Sequence, residues 1–153
     1  MASKIAARLE ELGIALPAAP APAANYVPYV LSGGMLYVSG QISQDEAGLI
    51  TGKLGAELDT AEGARAARRC GLSLLAQAQA ALGDLDRVAR VVKLVGFVNS
   101  VPGYTDQPKV VNGCSDLMVE VFGDAGRHAR SAVSAGSLPL GVAVEIEAIF
   151  EVA

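Results

Sequence analysis

The chain has 153 residues, 52% of them apolar and 18% charged, with a net charge of −4 and a pI near 4.9. One domain of that length buries roughly two-thirds of its unfolded surface, so it requires no metal or disulfide staple, and its apolar content excludes disorder. The acidic balance excludes a dedicated nucleic-acid binder, which carries a basic patch, and charge below the usual ~25% is expected where copies of a chain hide surface from water.

Ser3 caps a short helix whose Ile5, Leu9 and Leu12 form one apolar stripe, ended by Gly13. Leu16 to Ala24 holds three prolines among alanines and reads as an extended connector, so residues 1–24 are an appendage and residues 25–153 the single domain. Tyr26–Leu31 and Met35–Gln41 are rich in β-branched and aromatic residues around Ser32-Gly33-Gly34, the signature of a hairpin. Residues 43–58 are mostly loop. Asp59 and Glu62 have capping-box spacing before a long helix. Its stripe of Ala64, Ala67, Gly71, Leu74, Leu75, Ala78 and Leu82 is mostly small, which predicts close packing, and Gly83 stops it. Val88–Val98 is a near-continuous apolar run suited to an interior strand. A second helix over about 107–122 presents Val110, Cys114, Leu117, Met118 and Val121. The last two strands are Arg130–Leu138 and Val142–Val152, joined by Pro139-Leu140-Gly141; Glu145, Glu147 and Glu151 share one face of the second. The predicted order is ββαβαββ, an α+β mixed sheet with two helices on one face. Another copy of the chain is the natural cover for the other face. Cys70 and Cys114 are expected as buried free thiols.

No stretch reaches ~18 consecutive apolar residues, and Glu10 and Glu11 interrupt the N-terminus where a signal peptide needs an apolar region. The expectation is a cytoplasmic protein without membrane contact. No phosphate-cradling or dinucleotide glycine loop exists, so no cofactor is expected. One histidine and two distant cysteines predict no metal site. His128, beside Arg127, is expected to be an exposed loop residue, and Arg65, Arg68 and Arg69 a solvated helix face. The three glutamates of the last strand face water, a cleft or partner arginines, because a face buried by helices rejects charge. Arg130, beginning an apolar strand, is either a fork for a carboxylate or phosphate or the ion-pair partner of one of those glutamates.

His128-Ala129-Arg130-Ser131-Ala132-Val133, Leu138-Pro139 and Val144-Glu145-Ile146-Glu147-Ala148-Ile149 together resemble the C-terminal signature of the YjgF/RidA family, the reactive-intermediate imine/enamine deaminases, which carry the older label endoribonuclease L-PSP. Val38-Ser39-Gly40-Gln41-Ile42 is similar to the family's N-terminal strand. Tyr26 and Asn112 fall where the family has pocket residues, and Arg130 and Glu145 keep its fifteen-residue spacing. The resemblance covers about residues 25–152. It departs at Ala132, where the deaminases often have cysteine, at Ala135-Gly136-Ser137, and in the extra N-terminal helix and connector, which mark a divergent branch. It implies a chorismate-mutase-like fold, a homotrimer with clefts between subunits, and hydrolysis of 2-imino acids or their enamines to 2-keto acids and ammonia. In that chemistry Arg130 clamps the substrate carboxylate, Glu145 orients and deprotonates water, and Tyr26, Ser39 and Asn112 line the pocket.

If 130–151 is a hairpin centred near 139 and 140, Arg130 and Glu145 stand roughly 13 Å apart at the usual strand rise. One small substrate then needs them from different subunits. A non-catalytic trimeric binder of small carboxylates is the alternative of a different class. A ribonuclease is disfavoured by the acidic pI and the lack of a basic groove.

Overall fold

The computed structural model describes residues 2–153. Its centre is a mixed five-stranded sheet in the order β1 (Tyr29–Ser32), β2 (Met35–Ile42), β7 (Val144–Val152), β5 (Val88–Asn99), β6 (Ala129–Ala135). Two-residue strands β3 (Gln44–Asp45) and β4 (Gly48–Leu49) pair in the loop that follows β2. The expected β1–β2 hairpin forms, with Gly33 and Gly34 both at positive φ (59° and 76°), the backbone that a tight two-residue turn demands and only glycine adopts freely.

β7 carries the expected alternation. Val144, Ile146, Ala148 and Phe150 are buried, while Glu147 and Glu151 are exposed and Glu145 and Ile149 partly so. Long helix α2 (Thr60–Leu82) and α3 (Gln107–Phe122) cover the buried face. Asp59 and Glu62 form the reciprocal capping box of α2, and Gly83 ends it. Close approach is bought by small residues at the helix contact: a methyl on Gly113 would collide with the backbone carbonyl of Ala64. Gly113→Ala is therefore expected to destabilise by about 1–3 kcal/mol despite alanine's better helix propensity, because a backbone group cannot yield as a side chain does. Urea unfolding checks this; a stability equal to wild type would refute the packing.

Cys70 and Cys114 are free and fully buried. The Sγ of Cys114 lies where α3 crosses α2 beside Gly71, and the Cys70 thiol points at the Val144 carbonyl, 3.5 Å away. Burial pushes the Cys114 thiol up to about 12 and that of Cys70 well above its ordinary range.

The N-terminal helix α1 (Lys4–Glu11) is capped by Ser3 as expected. It also lies against the rest of the fold. Leu9 is buried in the core, the Asp86 carboxylate accepts from the Lys4 and Ile5 backbone N–H groups, and Arg8 Nε donates to the Glu120 carbonyl. Among the described residues no helix is long and apolar enough to cross a membrane.

One expectation fails. β6 and β7 are not a hairpin; β5 lies between them, antiparallel to β7 and parallel to β6. After β6 the chain reverses direction but does not pair with the strand it has just left. Ala143 N–H donates to the Ile50 carbonyl and Val142 bridges to Thr51, so Pro139–Gly141 carries the chain across the sheet end to the far side of β5. The interior strand needed a partner on each flank, and the last two strands supply both.

Candidate functional site

The predicted site residues fall into two groups at different places on one chain. The first gathers around an irregularity in β2, where pairing with β7 shifts between Val38 and Gln41. Ser39 and Gly40 occupy the bulge, and bulges re-aim side chains. Ser39 Oγ donates to the Val27 carbonyl at 2.8 Å, which ties down the segment carrying Tyr26. The Tyr26 ring is half-exposed, and its hydroxyl accepts from the Ala23 N–H at 3.4 Å. The Glu145 carboxylate lies over Gly40, so closely that any side chain there would strike it. Partial burial, and then the Glu147 charge, raise the Glu145 carboxyl above its ordinary value. A cavity of about 350 Å³ opens here, walled by connector residues Pro20–Ala23 with Tyr26, Gly40, Ile42, Leu49 and Leu140.

The second group sits where β6 meets α3. Arg130 pairs in register with Leu94, which is buried beneath the helices, so its side chain turns toward α3. There Nη1 donates to Asn112 Oδ1 (2.8 Å) and Ser115 Oγ (3.1 Å), and Nη2 to the Pro108 carbonyl (3.2 Å). Four of the five guanidinium protons lie on the two terminal nitrogens. Three of those are engaged, leaving Nε–H and one Nη2 proton without an acceptor among the described residues. Among the described residues Arg130 forms no ion pair with a glutamate of its own chain; neutral groups hold its guanidinium.

The structure brings Tyr26, Ser39 and Glu145 together, and Arg130 and Asn112 together, but not one group with the other. Glu145 pairs with Phe97 on one side of β5 and Arg130 with Leu94 on the other. Two strand spacings and three residues of rise separate their backbones by about 14 Å. Leu94 and Phe97 point to opposite faces, so Arg130 projects to the helix side and Glu145 to the open side. The separation expected from the hairpin therefore persists for a different reason.

Two further expectations are corrected. His128 is not an exposed loop residue: it is half-buried, with Nε2 2.9 Å from Ser115 Oγ and Nδ1 2.6 Å from the Gly126 carbonyl. The Arg65, Arg68 and Arg69 row is not simply solvated; each pairs with an acid, Asp45, Glu120 and Glu46 respectively. Sequence reading missed Ser115 and His128 because a contact between mid-helix and strand entry leaves no periodic trace.

Residues 6–151 match the family described as "YjgF/chorismate_mutase-like, putative endoribonuclease". The chain belongs to the YjgF family. The family match spans the whole sheet, and the fold of its members is the chorismate-mutase-like α+β fold described above. The chain is also similar to Protein TCP17 of Trypanosoma cruzi, 58% identical over 150 residues that cover 97% of this chain and 94% of that one. Two solved structures superpose closely. The protein Atu1372 of Agrobacterium tumefaciens, described as of unknown function, has a TM-score of 0.90 and 49% identity, covering 97% of this chain and 92% of its own. A "putative endoribonuclease" of Shewanella oneidensis has a TM-score of 0.93 and 34% identity, with 97% and 99% covered. Coverage of 97% leaves no room to omit residues 1–24, so these YjgF relatives match the α1 and connector segment at least in part.

Proposed function

We propose that this YjgF chain hydrolyses reactive 2-imino acids and their enamines to 2-keto acids and ammonia, at sites completed between subunits of a homotrimer. The observation that carries the reading is the placement of Arg130 and Glu145 on opposite faces of one sheet. Neither group makes a working site alone, and a neighbouring copy supplies the complement. The open face supports the same view. Val30 and Tyr37 are a cross-strand pair on it, each about half exposed, and Val133 is exposed on the far edge. Exposed apolar side chains on the face the helices leave open are what contact with another copy would bury.

The chemistry follows from the groups present. Arg130, with orientation fixed by Asn112, Ser115 and Pro108, offers its free donors to the substrate carboxylate. Glu145, with a raised pKa and so closer to the operating pH, takes a proton as water attacks the C=N carbon. From the protonated imine this gives a tetrahedral carbon bearing hydroxyl and amine; Glu145 returns the proton to nitrogen, and as the C–N bond breaks and ammonia leaves, the hydroxyl gives its proton to Glu145, leaving the keto acid. Imine hydrolysis is already fast in water, so positioning supplies most of what is needed. Tyr26 and the bulge at Ser39 and Gly40 close the other wall.

The relatives' endoribonuclease wording is the second reading. It finds little support in a net charge of −4, since phosphate neutralisation dominates nucleic-acid affinity. The deciding assay generates a 2-imino acid in situ from an amino acid with an oxidase and follows keto-acid release with and without purified protein. Acceleration supports the reading. A protein that binds 2-keto acids without acceleration is the carboxylate binder, and degradation of RNA by highly purified protein supports the nuclease. The trimer is expected at micromolar concentration by sedimentation; a monomer would remove the shared site and this mechanism with it.

A further inference from the structure

Ser115 helps to fix Arg130, but its contact with His128 has no part in the mechanism above, and that contact is more closely specified than a surface contact requires. The Gly126 carbonyl can only accept, so at 2.6 Å the His128 Nδ1 carries a proton. In the neutral ring Nε2 is then an acceptor, and the Ser115 hydroxyl 2.9 Å away donates to it. That commits the only proton of the hydroxyl. Its lone pairs are left for Arg130 Nη1, which can only donate, at 3.1 Å. Hydrogen bonds thus run in one direction, from guanidinium to hydroxyl to imidazole, while the imidazole is tied to the backbone.

We infer that His128 is a positioning residue for Arg130: through Ser115 it holds the guanidinium in the orientation that receives a carboxylate. The inference rests on the reading of Arg130 as the carboxylate clamp. The arrangement needs a neutral ring, because a protonated Nε2 would donate to Ser115 Oγ, reversing that bond and setting a second cation beside Arg130. Desolvation, and with it the Arg130 charge, lowers the His128 pKa against the partial offset of the Gly126 contact, and so favours the neutral ring. The other charged groups at this place are Asp116 of α3 and Arg127, which line the same cavity of about 270 Å³, Asp124, 3.6 Å from Arg127, and Arg90 of β5, whose Nη2 donates to the Arg127 carbonyl at 3.0 Å.

His128 is the only histidine, so its ring resonances are unambiguous. Nitrogen-15 NMR of the intact, ligand-free protein at pH 7 is expected to show the neutral tautomer with the proton on Nδ1. The Nε2–H tautomer, or a charged ring, overturns the inference whether or not any keto acid binds. The second measurement is calorimetric affinity for 2-oxobutanoate. His128→Asn keeps a donor for Gly126 but cannot reach Ser115. It and Ser115→Ala are each expected to weaken binding about 5- to 10-fold, the scale of one net hydrogen bond, with thermal midpoints near wild type. The double variant should lose no more than either single one, because both cut the same link. His128→Gln, whose amide oxygen reaches the Nε2 position, should recover most of the loss. Wild-type affinity in His128→Asn, or additive losses in the double variant, refutes the coupling. If wild-type protein itself ignores 2-oxobutanoate, the carboxylate reading fails instead, and the tautomer still decides the hydrogen-bond direction.

Discussion

Arg130→Ala is expected to abolish 2-keto acid binding and imine hydrolysis while leaving the protein folded and assembled. A charge-assisted, two-pronged contact to a desolvated carboxylate contributes about 3 kcal/mol or more, so affinity should fall at least about 100-fold. The fold should tolerate the loss. Arg130 lies on the edge strand β6, and the groups it leaves have other recourse: Asn112 is exposed to water, and Ser115 keeps His128. Arg130→Lys should rescue poorly. An ammonium is a point charge without the planar fork, and it cannot satisfy Asn112, Ser115 and the Pro108 carbonyl while also gripping a ligand. Calorimetry with a 2-keto acid, together with sedimentation of the same samples, checks both halves. Undiminished hydrolysis in Arg130→Ala refutes the assignment.

Glu145→Gln separates catalysis from binding. The amide keeps the shape above Gly40 but has no base, so turnover should fall on the order of 10²-fold or more. Keto-acid affinity should hold or improve, since a negative charge near the ligand carboxylate is gone. Stability provides an independent sign. A carboxyl whose folded pKa is raised contributes stability that is present below its unfolded pKa and lost as pH rises through the folded value. The glutamine variant never ionises. Its thermal midpoint should therefore exceed that of wild type at pH 8, and the gap should close toward pH 4. A lowered midpoint at pH 8 with unchanged turnover per folded molecule would instead mark Glu145 as a structural partner of an arginine across the interface.

What the sequence disclosed depended on how local the cause was. The caps of α2, its stripe of small residues and the alternation along β7 are written within one or two turns or strands, and they were read correctly. Strand adjacency is not local. Pro139-Leu140-Gly141 looked like a turn between neighbours, although the near-continuous apolar run of β5 already called for partners on both flanks. Arg130 and Glu145 were singled out from residue type and family resemblance. That they lie on opposite faces of one sheet follows only from the register of three strands. Of the acceptors around Arg130, Asn112 was named through the family resemblance alone, and Ser115 and the Pro108 carbonyl were not anticipated, because the helix they come from has a polar face with no pattern beyond being polar.

The two thiols at the α2–α3 contact also give the molecule a built-in opening gauge. Cys70 and Cys114 are fully enclosed, with thiolate suppressed at neutral pH, so an alkylating reagent cannot act on the closed form. Labelling must wait until the helices part. Its rate under native conditions therefore measures how often the core opens, residue by residue when the products are resolved by mass. If both sites label at one common rate, α2 and α3 separate as a single cooperative unit. If Cys114 labels first, α3 peels away while α2 stays on the sheet, and Arg130 loses its acceptors before the rest of the fold gives way.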